Sequence, residues 1–323
     1  MPDYDKGMRG LVALGAVIVA SFAQAADFDA QAARFELLGR VHSRRPLHVY
    51  LQCATTPFEV STLTDLNGRF HFRKLLAGPY VLIVGGHQQT VEIGPSLADS
   101  KGRVNVTVEL RNADRVRSIE RRSLVSVGEL SIPKAAWREY EDAQKALGRP
   151  DVTSAVAHLK RAVEIAPQFS GAWNHLGTIA YQSREYGEAE ADFRKALEAN
   201  PNALEPLVNL GGVLLNLGKP DEALEYNRRA VLKSPRDALA NSQLGMDYFF
   251  SDQFDLAEKY LTIAKEIDPA HFSHPQMLLA EIHLRRNHPE AAAAELRDLL
   301  DRHPDLPNAG EIRQQIARLQ AAQ

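Results

Sequence analysis

The C-terminal quarter of the chain is rich in histidine: His271 and His274 stand three apart, with His283, His288 and His303 beyond them. Two imidazoles at that spacing could share a divalent metal on one helical turn, given a carboxylate or thiolate to complete the set. By the repeat register His271 falls in an inter-repeat loop, and no carboxylate or cysteine completes a convincing set, so these residues read as surface imidazoles. No metal ligand is assigned. Cys53, the single cysteine, ends an alternating apolar stretch and reads as a small buried apolar side chain. A nucleophilic thiolate would need a nearby histidine and an activating environment, which are matters of the fold and not of the sequence. The HExxH, GxSxG, Walker and dinucleotide glycine motifs are absent. The abundant Asp and Glu fall on solvated helical faces in four-residue pairs such as Glu190 with Arg194, not opposed as acid and base. The reading is of a protein with no catalytic residue and no cofactor. Binding is the chemistry that is left.

Charge narrows the partners. With 38 basic and 41 acidic residues the formal charge is −3, so no bulk positive field invites nucleic acid. At 45% hydrophobic and 24% charged residues, the composition excludes a disordered chain and a polytopic membrane protein. The 323 residues leave room for two or three domains, and one thiol excludes an internal disulfide.

The elements that must position any binding residues follow in chain order. Residues 1–25 read as a signal peptide: Lys6 and Arg9 precede an apolar run from Leu11 to Phe22, and Ala23-Gln24-Ala25 offers a small-x-small cleavage site. The run is shorter than the roughly 20 residues that span a bilayer. Export to the periplasm or exterior is expected, with cleavage after Ala25. A start at Met8 rather than Met1 would remove the unusual Asp3 and Asp5 from the leader.

Between residues 35 and 110 the apolar period falls to two, in Leu47–Leu51, Phe70–Phe72 and Val104–Val108. Turn signals separate these runs at Asn67-Gly68, Ala77-Gly78-Pro79 and Gly85-Gly86. Six or seven short strands at this spacing predict an antiparallel β-sandwich with Phe70, Phe72 and Tyr80 in its core. Thr64-Asp65-Leu66-Asn67-Gly68-Arg69-Phe70-His71-Phe72, followed by Leu75, Gly78, Tyr80, Leu82 and Val84, resembles the carboxypeptidase regulatory-like domain. That resemblance implies a transthyretin-like fold and a module without chemistry of its own. Residues 111–133 form a basic linker, in which Arg111, Arg115, Arg117, Arg121 and Arg122 outnumber Asp114 and Glu120. Any membrane contact is expected only through this linker or an uncleaved leader.

From residue 134 the chain repeats. Pro167, Pro201, Pro235 and Pro269 are spaced 34 apart, and Pro304 follows after 35. Leu176-Gly177, Leu210-Gly211 and Leu244-Gly245 keep the same step, as do Ala155, Ala189, Ala223 and Ala257. These columns resemble the tetratricopeptide repeat family, with five repeats over 134–304 and a capping helix over 305–323 whose apolar stripe is Ile312, Ile316 and Leu319. Glu139 and Asp142 stand where the first repeat should have an aromatic residue and a leucine. The resemblance implies an all-α solenoid of paired helices, each too short to bury its apolar face alone.

It also implies a concave groove lined by the first helix of each repeat. The positions carried over are Asn174, Thr178 and Tyr181; Val208, Gly212 and Leu215; Ser242, Met246 and Phe249, with Phe250 beside it; and Met277, Glu281 and Leu284. Lys and Asn at the set positions of the chaperone-binding carboxylate clamp are not both present, so that specificity does not carry over. The expected partner is a peptide or extended protein segment, apolar or amphipathic. The function expected is that of an exported, non-catalytic scaffold for protein–protein interaction in envelope or surface-structure assembly. Two alternatives stay open: carbohydrate binding by the sandwich with the repeats as scaffold, and an accessory subunit of an envelope enzyme.

Overall fold

A computed structural model describes residues 34–43, 46–54, 59–85, 87–110, 131–149 and 151–321. The expected signal peptide and residues 111–130 of the basic linker lie outside these. The described residues fall into two compact units, the first ending at Ser273 and the second beginning at His274.

The first unit opens with seven strands: β1 Phe35–Val41, β2 His48–Cys53, β3 Glu59–Leu63, β4 Arg69–Leu75, β5 Gly78–Val84, β6 His87–Ile93 and β7 Arg103–Val108. They form two sheets, ordered β4-β1-β7 and β3-β2-β5-β6. Alternation puts one apolar row of each strand into a shared core, with Leu37 and Val41, Val49 and Leu51, Leu82 and Val84 all fully buried. Phe70, Phe72, Tyr80 and Cys53 join the same cluster. Gly39 sits in the inward row of β1 because the Phe70 ring crosses it; a Cβ there would fall 1.9 Å from that ring. One pairing corrects the antiparallel expectation. β1 runs antiparallel to β4 but parallel to β7, with Leu37 opposite Val104. A two-residue period identifies a strand without naming its neighbour, and strands so far apart in sequence need no hairpin.

Helices follow in pairs: α1 Lys134–Leu147 and α2 Val152–Ile165; α3 Ser170–Gln182 and α4 Tyr186–Ala199; α5 Leu204–Asn216 and α6 Pro220–Lys233; α7 Ala238–Phe250 and α8 Phe254–Ile267. Starts are set by local chemistry. Asp151 accepts from the Ser154 amide at 3.0 Å, Asp237 accepts from the Ala240 amide at 2.9 Å, and Pro220 occupies the first turn of α6. Small residues then let each pair close. A Cβ on Gly177 would lie 2.7 Å from the Phe193 ring, and one on Gly245 would lie 2.7 Å from Leu261. The β region is joined to the helices by a buried bond: the Thr90 amide of the edge strand β6 donates to Asp268 Oδ2 at 2.8 Å. An edge-strand donor that pairing leaves open is thereby satisfied.

The second unit holds α9 Pro275–Arg285, α10 Pro289–Arg302 and α11 Ala309–Ala321. Leu296, Leu299, Ile312 and Ile316 are buried, so α11 turns one apolar stripe inward and keeps Arg313 and Gln314 exposed. No helix among the described residues is long and apolar enough to cross a membrane.

Candidate partner-binding face

In the first unit, the first helices of successive pairs carry a polar ladder. Tyr140 Oη lies 3.2 Å from His175 Nδ1, Asn209 Nδ2 donates to Asn174 Oδ1 at 3.0 Å, and Asn216 Nδ2 donates to Tyr181 Oη at 3.3 Å. Each rung joins residues 35 apart on neighbouring first helices. Gln243 extends the row: a Cβ on Gly212 would lie 2.6 Å from its Nε2, so glycine leaves room for that amide. Burial, then the neighbouring Tyr186 hydroxyl, pushes the Tyr181 phenol above its usual range, and it stays a neutral hydrogen-bonding group.

The predicted positions differ in depth. Asn174 is a rung of the ladder, and Thr178 is half-buried with its hydroxyl donating to the Asn174 carbonyl at 2.9 Å. Tyr181 and Leu215 are half-buried, whereas Val208 and Gly212 are buried. Ser242 is buried and accepts from Ser273 Oγ at 2.7 Å. On α7, Met246 is half-buried and Phe249 is buried edge-on between Phe250 and Phe254, each centroid 5.7 Å away. Phe250 is 52% exposed. In the second unit, Met277 and Glu281 are buried, Leu284 is half-buried, and Arg285 Nε donates to Glu281 at 2.9 Å.

Sequence reasoning passed over Asn209, Asn216, Gln243 and Tyr140. The signal that marks Tyr140, Asn209 and Asn216 is the 35-residue step between polar side chains, one more than the repeat period; Gln243, set against Gly212, carries no such signal. A second array lies on the second helices. Arg194 reaches Glu190 at 2.8 Å and Glu222 at 2.6 Å, while Lys219 reaches Glu190 at 2.8 Å. Burial opposes ionisation of Glu190, but Lys219 and Arg194 outweigh it and hold the carboxyl below its usual range. The expected helical pair is therefore part of a tie between α4 and α6.

The histidines are placed as follows. His271 is buried with Nδ1 2.6 Å from Ser273 Oγ, and in the second unit the rings of His274 and His303 are 4.5 Å apart. No group of three or more His, Cys, Asp or Glu among the described residues is arranged to hold a metal.

Comparison with known proteins agrees with the helical pairing. The family model described as "Tetratricopeptide repeat" matches residues 140–203 and 175–240. The Cell division cycle protein 16 homolog of Homo sapiens is 33% identical over 113 residues, covering 32% of this chain and 18% of that protein. Cellulose synthase 1 operon protein C of Komagataeibacter xylinus is 25% identical over 167 residues, covering 48% of this chain and 13% of that protein. The chain thus spans less than a fifth of the length of either relative. Among solved structures, MamA 41-end from Desulfovibrio magneticus RS-1 aligns with a TM-score of 0.48 and 22% identity over 55% of this chain and 99% of that one. Residues 140–240 of the helical part thus match the tetratricopeptide repeat.

Proposed function

We propose that the protein is an exported scaffold that holds an apolar or amphipathic segment of another protein along the first helices of its repeats. The observation that carries this reading is the change in character along that face. Around α3 and α5 the side chains satisfy one another through the ladder. On α7 the half-buried Met246 and the exposed Phe250 leave adaptable apolar surface beside the fixed Phe249 ring. Aromatic side chains flanked by methionine are suited to anchoring a segment whose shape is not rigidly specified. The leader at residues 1–25 supports a periplasmic or secreted location. The likeness to a protein named for a cellulose synthase operon supports a place in envelope or surface-structure assembly. The β region is proposed as a carboxypeptidase regulatory-like module of transthyretin-like fold, carried along as a structural partner of the repeats. No catalytic role is proposed.

A photo-reactive side chain at position 250 of the full chain tests this reading in the exported fraction. It is expected to capture a polypeptide that the same group at Leu232, 81% exposed on a second helix, does not. Adding Met246→Ala should reduce that capture without altering the helical signal. Equal capture at both positions, or none at 250, would defeat the proposal.

A further inference from the structure

Two apolar columns of the array are broken at facing positions. In the second helices, one buried column reads Leu159, Phe193, Asn227, Leu261 and Leu296. In the first helices, another reads Ile179, Val213, Asp247 and Ile282. Asn227 of α6 and Asp247 of α7 are both wholly buried, and Asn227 Nδ2 donates to Asp247 Oδ2 at 2.8 Å. On its other side Asn227 fills the space over Gly211 of α5, where a Cβ would lie 2.0 Å from its Oδ1. Three helices from two adjacent repeats therefore meet on one polar pair inside an otherwise apolar core.

The pair is incompletely bonded as it stands. Asn227 Oδ1 and Asp247 Oδ1 are buried and lack hydrogen-bond partners among the described residues. A carboxylic acid and a primary amide can make two bonds, amide N–H to acid carbonyl and acid O–H to amide oxygen. An ionised carboxylate lacks the second hydrogen and leaves two buried acceptors without a donor. Arg228 of α6 is the charged group whose field reaches Asp247, and it is engaged with the Tyr248 hydroxyl at 3.1 Å. Around the pair, α5 contributes Gly211, and α8 contributes Leu261 against Gly245 and the Tyr260 ring stacked on Tyr248. Burial outweighs the Asn227 bond and Arg228 and pushes the Asp247 carboxyl up to about 7.

We propose that the joint between α6 and α7 is a proton-controlled hinge, closed while Asp247 carries its proton and loosened when the proton leaves. The folded array then holds this proton more tightly than the unfolded chain does. Stability at the joint falls as pH rises from the ordinary carboxylate range through about 7. Because α7 also carries Met246 and Phe250, loosening the joint changes how that face is presented.

Hydrogen exchange on the full chain, corrected for intrinsic rates, tests the hinge. Between about pH 5.5 and about pH 8.5 the protection of α6 and α7 amides is expected to fall by about tenfold or more relative to that of α3 and α4. Asp247→Asn, which stays neutral, should remove that difference. So should Asn227→Leu with Asp247→Ile, which restores both apolar columns and serves if the single variant fails to fold. Equal protection at both pH values in the unaltered protein would overturn the proposal. A pH-dependent loss that persists in either folded variant would do the same.

Discussion

The β region and the helical repeats bury similar side chains over different distances in sequence. In the sheets, Leu37 of β1 lies opposite Val104 of β7, so the first and last strands hold each other in place. In the repeats, the buried contacts are local: Phe193 covers Gly177, and the ladder links residues 35 apart. The difference implies that a sheet domain closed by its ends fails as a whole, whereas an array of repeats fails where it is struck. Gly68→Val gives the largest test. Gly68 holds φ +72°, and a Cβ there would fall 1.9 Å from the Val41 carbonyl oxygen, which is backbone and cannot swing aside. A cost above about 3 kcal/mol is expected from the strained turn and displaced strand together. Amide protection should vanish from β1 through β7 while α3 to α6 keep theirs. Loss restricted to β3 and β4, the strands that flank the turn, would break the comparison.

The matching lesion in the array is Phe193→Ala. The ring is 1% exposed and lies across Gly177, so removing it leaves a cavity worth about 3–5 kcal/mol. Exchange should rise in α3 to α6 and leave the β strands protected. Uniform loss of protection from α1 to α8 would mean that the first unit unfolds as one cooperative body, despite its repetitive sequence.

These outcomes bear on how much could be read from residues alone. The helical pairs were legible because proline, glycine and alanine recur at a fixed step, and each occupies a place where only a break or a small side chain fits. The contents of the face were less so. Facing residues on neighbouring first helices are offset by one position from the 34-residue period, since contact depends on the tilt between helices. Asn209 and Asn216 were therefore passed over. Register also tells which side of a helix a residue occupies, not how deeply it lies. Val208, Phe249 and Met277 are buried, while Phe250, next to the projected position, is the exposed ring. The parallel β1–β7 pairing was hidden because alternation carries no information on partners. The turn at Asn67-Gly68 was read, but its second copy was not. Asp65-Leu66-Asn67-Gly68-Arg69 and Asp99-Ser100-Lys101-Gly102-Arg103 share one spacing, and both fold into the same turn.

That shared turn allows the comparison to be sharpened inside the β region itself. In each copy the aspartate accepts two backbone amides: Asn67 and Arg69 at 2.8 Å for Asp65, Lys101 at 2.8 Å and Arg103 at 3.0 Å for Asp99. Each glycine adopts positive φ, and each aspartate exchanges backbone bonds across the turn. Asp99 adds the Arg103 guanidinium, with Nε at 2.9 Å and the terminal nitrogen at 2.7 Å. That side chain and the backbone amide of Arg103 hold the Asp99 carboxyl down at about 2. A depressed carboxyl contributes stability above its ordinary range, and this contribution is lost as pH falls from about 4 towards about 2. Because the group is exposed, the effect should be small and weakened by salt. Asp99→Asn is expected to shift the acid unfolding of the β strands to higher pH at low ionic strength, with a smaller shift in concentrated salt. Equal shifts at both ionic strengths would assign the role of Asp99 to its amide hydrogen bonds alone. The guanidinium would then be a bystander in a turn that Asp65 completes with its two backbone bonds.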